Sequence, residues 1–155
     1  MERAQIDDID SWMGPADVKR PLGEVLGTTD VAINYYELTP GESFSFGYHR
    51  HADQEEVFHI QSGTVTFETE DGDVVVEDGE AIRFASGEWQ RGTNKGDERV
   101  VALALGAPAD SGETEIRSEC PTCEERTSQH IEMTDDRDAL VTLCEECESE
   151  TGRFT

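Results

Sequence analysis

The sequence predicts an all-β chain, a small antiparallel barrel or sandwich followed by a four-cysteine appendage. Three observations carry this. From Val31 onward, short runs rich in β-branched and aromatic residues alternate with turn pairs such as Pro40-Gly41, Asp71-Gly72 and Asp78-Gly79, the texture of closely spaced antiparallel strands. No stretch holds the sustained 3.6-residue apolar period of a long helix. All four cysteines, finally, fall after the last of the barrel-type runs.

Taken in chain order, residues 1–30 are short acidic and apolar fragments broken by Gly14, Pro15, Pro21, Gly23 and Gly27, with room for one helical turn at Leu22–Leu26. Strands are expected at Val31–Leu38, Ser43–Arg50, Glu56–Gln61, Thr64–Thr69, Val74–Glu77, Ala81–Phe84, Trp89–Gly92 and Arg99–Leu105. Ala107–Gly112 reads as a linker. It divides a barrel with an N-terminal arm, residues 1–112, from an extension, residues 113–155. In the extension, Glu115–Ser118, Gln129–Thr134 and Leu140–Leu143 are candidate strands with too few apolar residues to form a core without a staple.

The 155 residues include 36 acids and 12 bases, a net charge of −24. Such a surface repels nucleic-acid phosphates and anionic membranes, which argues against both as direct partners. No apolar run is long enough to span a bilayer. Met1–Asp8 lacks the basic-then-apolar pattern of a secretory leader, so a cytoplasmic location is expected. The acids are spread over both parts of the chain, and Lys19 and Lys95 are the only lysines. A uniformly acidic, lysine-poor surface suits very high salt, where self-repulsion is screened; an acidic protein of ordinary salt is the alternative.

Cys120-Pro-Thr-Cys123 and Cys144-Glu-Glu-Cys147 form two C-x2-C knuckles separated by twenty residues. Each gap turns two thiolates toward one point, and a hairpin between them completes a tetrahedron for zinc. Disulfides and a redox pair are the competing uses, disfavoured without a secretory leader or a βαβ context. The pattern resembles a zinc ribbon over about residues 116–150. His130, between the knuckles, is expected to be a strand residue rather than a ligand.

The second cluster is His49-Arg50-His51 followed by Glu56. On a strand His49 and His51 share one face and Arg50 the other. Glu56 shares parity with Phe58 and Ile60, so it should point inward as well. Two imidazoles and a carboxylate in an apolar interior must be paired or bound to a metal. That donor set suits Fe, Mn, Ni, Zn or Co. A metal-free pocket, with these groups bonded to one another or to a small polar ligand, is the alternative. Parity turns His59 away and leaves Glu55 as a solvated neighbour. Trp89 and Arg91 are expected to pack on the far face, and Tyr35, Tyr36 and Phe46 to line or fill the barrel.

These residues resemble the small single-domain cupins over roughly residues 22–106. The first motif reads Gly41, seven residues, His49-Arg50-His51, four residues, Glu56, six residues, Gly63. The second reads Gly79, five residues, Ala85-Ser86-Gly87, two residues, Gln90, three residues, Asn94, with Gln90 standing where the family has a histidine. The resemblance implies a cupin (jelly-roll) barrel, usually dimeric, with a divalent metal held by His49, His51 and Glu56. Gln90 is then a fourth ligand or a donor behind the ligands. Two functions are carried forward: a metal-binding cupin acting on a small molecule, as an oxygenase or isomerase, or a non-catalytic ligand-binding module whose ribbon contacts proteins.

Overall fold

Alternating burial along short strands organises the chain, most plainly in β9, Val100–Ala107, where every second residue from Val100 to Gly106 is buried. The structure is a computed structural model describing residues 1–155. Its other barrel strands are β1 (Val18–Arg20), β2 (Ala32–Leu38), β3 (Tyr48–His51), β4 (Glu55–Ser62), β5 (Val65–Thr69), β6 (Gly72–Val76), β7 (Ala81–Phe84) and β8 (Gln90–Thr93). One helical turn, α1 (Leu22–Leu26), is the only α-helix, and no helix is long and apolar enough to cross a membrane. The extension supplies β10 (Thr114–Cys120), β11 (Glu125–Met133), β12 (Leu140–Cys144) and β13 (Glu150–Phe154).

Two antiparallel sheets result, one in the order β1-β2-β9-β4-β7 and one in the order β13-β12-β11-β10-β3-β8-β5-β6. Between them lies a core that includes Leu38, Ile60, Val65, Phe67 and Val100, each fully buried. Phe44, Phe58, Phe67 and Phe84 touch in succession with ring centroids 5.0–6.1 Å apart, an arrangement that adds directed aromatic contacts to area burial.

The expected strand at Ser43–Arg50 is shorter than its sequence suggests, because only Tyr48–His51 is paired as a strand. Ser43 makes a single bridge to Thr93. Its hydroxyl and the Phe44 N–H both donate to the Gly92 carbonyl, at 2.8 and 3.1 Å, and the Ser45 hydroxyl donates to Gly47 at 2.9 Å. Serine side chains here take carbonyls that a ladder would use. The linker expected at Ala107–Gly112 is tied down: Ala107 closes β9, and the Ala52 and Asp53 N–H groups donate to Glu113 and Ser111 at 2.9 and 3.1 Å.

β10 then pairs with β3, Thr114 opposite His51 and Ile116 opposite His49, so extension and barrel share one sheet. Gly47 permits the approach. A Cβ there would lie 2.6–2.8 Å from Ser118, the Arg117 carbonyl and Ile116. Phe154 of β13 reaches back to Phe46 of the barrel at 5.1 Å.

The motif glycines Gly41, Gly63, Gly79 and Gly87 all have φ between +82° and +91° and close the turns between strands. At Gly63 a Cβ would also meet the Arg99 carbonyl at 2.9 Å, whereas nothing lies within 4 Å at Gly41. Gly41→Ala is therefore expected to cost about 1–2 kcal/mol, the left-handed backbone penalty alone. Gly63→Ala should cost about 2–4 kcal/mol, with the clash added. Urea midpoints of the two variants check this; equal losses would contradict it.

Candidate metal centre

β3, β8 and β4 bring the expected donors together. His49 sits opposite Gln90 in the β3–β8 pairing, and Glu56 reaches in from the other sheet. Glu56 Oε2 lies 3.3 Å from His51 Nε2 and 3.7 Å from His49 Nε2. Gln90 Nε2 donates to Glu56 Oε2 at 2.7 Å and meets His49 Nε2 at 3.1 Å. His49 Nδ1 is 3.1 Å from the Gly47 carbonyl, which can only accept, so Nδ1 carries a proton and Nε2 faces the cluster. His51 Nδ1 is fixed at 2.8 Å by Thr114 Oγ1 from β10. Burial on its own would push the Glu56 carboxyl up, but the bonds from His49 and His51 and their charge outweigh it and hold Glu56 at about 2.

One atom is left over. Gln90 Oε1 is buried with no partner, a costly state for an amide oxygen. A half-turn of the amide would deliver that oxygen to the point shared by His49 and Glu56. Two oxygens of like polarity meet there favourably only around a cation. The donors of His49, His51 and Glu56 lie within 4.8 Å of one another, and two imidazoles, a carboxylate and an amide oxygen form a set that suits a divalent ion.

His49, His51 and Glu56 open on a cavity of about 820 Å³. Tyr36, Phe44, Phe46 and Phe58 form its apolar wall, while Ile116, Gln129 and His130 of the extension form another side. His130 lies in β11 with Nε2 3.2 Å from Glu132, away from the sulfurs.

The four sulfurs form a separate cluster. Cys120 Sγ is 3.6 Å from Cys147 Sγ, and Cys123 Sγ is 3.9 Å from Cys144 Sγ, close to the edge of about 3.8 Å that a tetrahedron with zinc–sulfur bonds of about 2.3 Å requires. All four are free thiols. Thr127 Oγ1 lies 3.0 Å from Cys144 Sγ and, helped by nearby backbone N–H groups and against the opposing effect of burial, pulls that thiol down to about 6. Bonding to Cys147, together with burial and the other thiols, pushes Cys123 up. Thiols this crowded ionise together only with a cation among them.

The remaining expectations sort by face. His59 pairs with Ala81 and Leu103, outside the cluster. Glu55 is ion-paired to Arg83 at 2.6 Å. Trp89 stacks on Tyr48 at 5.2 Å beneath Arg50 and Arg117. Tyr36 and Phe46 line the cavity, whereas Tyr35 packs under Arg20 at 5.9 Å. Thr114, Lys19 and Trp12 belong to the site region without any motif marking them. The unusual choice of Lys in an arginine-rich chain was the only signal for Lys19.

Residues 34–106 match the family described as Cupin domain. The barrel has the cupin fold. A solved sugar phosphate isomerase of the cupin superfamily from Silicibacter pomeroyi is 19% identical, with a TM-score of 0.63, and the match spans 99% of this chain and 92% of that one. A protein from Acidithiobacillus ferrooxidans, provisionally described as a sugar phosphate isomerase, is 24% identical with a TM-score of 0.56, covering 72% of this chain and 69% of that one. The polyketide cyclase RemF from Streptomyces resistomycificus is 20% identical with a TM-score of 0.61, covering 74% and 83%. These likenesses establish the cupin fold, and no curated protein matches the chain in sequence. The first cupin match extends beyond the barrel into the cysteine-bearing strands.

Because Glu56 lies below its ordinary value of 4.5, its contribution to the barrel's stability is full above pH 4.5 and is lost as the pH falls toward 2. A carboxyl ¹³C titration by NMR should place the Glu56 midpoint near 2. A midpoint at or above 4.5 would contradict the pairing with His49 and His51.

Proposed function

We propose that this chain is a metal-binding cupin whose barrel cavity takes a small molecule for isomerase or oxygenase chemistry, and whose four cysteines hold zinc. The observation that carries the barrel reading is the buried, unpartnered Gln90 Oε1 beside His49, His51 and Glu56. A divalent ion bound there supplies Lewis-acid polarisation of a ligand oxygen. The chain supplies the rest. Gly47 and Thr114 hold the two imidazoles in orientation. Phe44 and Phe58 exclude water from the inner wall. Tyr36 is the one tyrosine in the wall; burial first, and the Glu56 charge second, push its phenol up, so Oη keeps its proton and stands as a donor toward a bound oxygen. The solved relatives include proteins described as sugar phosphate isomerases and a polyketide cyclase, which is compatible with a cavity that binds small polar molecules.

A second reading is a non-catalytic ligand-binding module whose extension contacts other proteins. It is favoured by Gln90 Nε2, which bridges Glu56 and His49 with no cation required, and by Ile131 and Met133, exposed on β11.

Elemental analysis of protein purified without added metal separates the two. The first reading expects two metals per chain, one lost on His49→Ala and the other, zinc, lost on Cys120→Ser. Gln90→His should tighten the barrel metal by about tenfold, since imidazole is the stronger donor. One zinc per chain, with nothing removed by His49→Ala, selects the second reading.

The net charge of −24 supports a home in high salt. The melting temperature should rise between low and molar salt as self-repulsion is screened, and a salt-independent melt would overturn that assignment.

A further inference from the structure

The barrel cavity contains one cationic side chain that the metal reading does not use. β1 pairs with β2 so that Lys19 stands opposite Tyr36 and Arg20 opposite Tyr35. Arg20 turns outward, where it donates to Asp7 at 3.0 Å and to the Ile6 carbonyl at 2.9 Å. Lys19 therefore turns inward. Its Nζ lies 5.5 Å from the Trp12 ring centroid and 5.7 Å from that of Tyr36. It is the only Lys or Arg in the cavity wall.

This ammonium has no carboxylate within ion-pair distance, whereas the other lysine, Lys95, meets Asp73 at 3.1 Å. The acids that share the cavity wall are Glu24, Glu56 and Glu145. Glu24 and Glu145 are exposed at the rim, and Glu56 is engaged by His49, His51 and Gln90. Burial lowers the ammonium's affinity for its proton, and the distant Glu56 and Glu24 offset this only in part. Aromatic faces hold the charge in place but accept none of its N–H bonds. Half-buried in the cavity wall, with no protein acceptor for its N–H groups, this cation is placed to meet an anionic acceptor that enters the cavity. The arm is built to keep it there: the Trp12 N–H donates to the Lys19 carbonyl at 2.7 Å, and the Lys19 N–H donates to Ser11 Oγ at 3.0 Å.

We propose that Lys19 anchors the anionic group of the cavity's ligand. The ligand class is then a small molecule with a carboxylate or phosphate at one end and oxygen atoms facing His49, His51, Glu56 and Gln90 at the other. The second half of that description rests on the metal-binding reading above; the anchor itself does not. Lysine suits the task as a compact point charge with three rotatable donors. In a protein of net charge −24, a cation in the cavity wall is also what retains an anion that the outer surface repels.

Isothermal titration of the full chain with inorganic phosphate, and separately with malonate, tests this. Wild type should bind at least one of the two saturably, and the tighter of them identifies the anionic group. Lys19→Met should weaken that binding by about tenfold or more, the worth of one charged hydrogen bond. Lys19→Arg, which keeps the charge, should stay within about threefold of wild type. Lys95→Met, on the outer surface, should match wild type, and matched thermal melts of the two Lys19 variants exclude a folding defect. Equal binding by wild type and Lys19→Met, or no saturable binding of either anion by wild type, overturns the assignment. Metal content and anion titration of His49→Ala, with and without Lys19→Met, separate the two readings. Unchanged metal with persistent Lys19 dependence refutes the metal centre and keeps the anchor. Lost metal with no Lys19 dependence does the reverse.

Discussion

The pairing of β10 with β3 is the constraint on which most of this molecule depends. It is a short antiparallel contact, Thr114 to Arg117 against His51 to Tyr48, yet it does three things at once. It makes the cysteine-bearing strands a continuation of the barrel sheet. It places the Thr114 hydroxyl where it fixes the ring of His51. It sets Ile116, and behind it Gln129 and His130, in the wall of the cavity. The contact exists because Gly47 has no side chain where the two strands come closest, and the Gly47 carbonyl in turn orients His49. One glycine thus serves both the packing of the extension and the alignment of an imidazole.

Electrostatics inside the barrel follow a different rule from those outside. The surface carries exposed ion pairs such as Lys95–Asp73 and Arg83–Glu55, of the kind that contribute little to stability. Inside, Glu56 is kept ionised by two imidazoles and an amide, while Lys19 is held by two aromatic rings. Both half-buried charges stand on the same sheet, separated by β2 and β9, and with one paired and the other not they give the cavity a direction along which a polar ligand can lie. The sulfur cluster is organised separately, but Thr127 and Gln129 connect it to the same wall: Gln129 Nε2 donates to Thr127 Oγ1 at 2.8 Å, and Thr127 Oγ1 contacts Cys144 Sγ.

Much of this was legible in the residues, and what was not has physical reasons. Spacing placed His49, His51, Glu56 and Gln90 together because strand parity and turn glycines are local rules. The same rules sorted His59, Glu55 and Trp89 onto other faces. The two C-x2-C knuckles carried their own geometry. Ser43–Gly47 has the sequence of a strand but is not one, because competition by serine hydroxyls leaves no mark on the apolar pattern. β1 and β13 were invisible because Val18–Arg20 is too short to show a period and Glu150–Phe154 alternates nothing; both form by pairing with a neighbour. Lys19 and Thr114 acquire their roles from long-range register, β1 on β2 and β10 on β3, which no local window contains. For the same reason Ala107–Gly112 has the composition of a free linker yet is bonded to the residues that follow β3.

Sheet edges add a last point. Without β10, strand β3 would be a short, poorly paired border, joined to β8 through a single residue pair. Unpaired borders recruit strands from other molecules. The extension moves the open border from the strand that carries both histidines out to β13, four strands away. At the other end of the same sheet β6 stays free, with Val74 and Val75 exposed. Intermolecular strand addition on this sheet is thereby diverted to its two ends, and the donors on β3 are shielded from it.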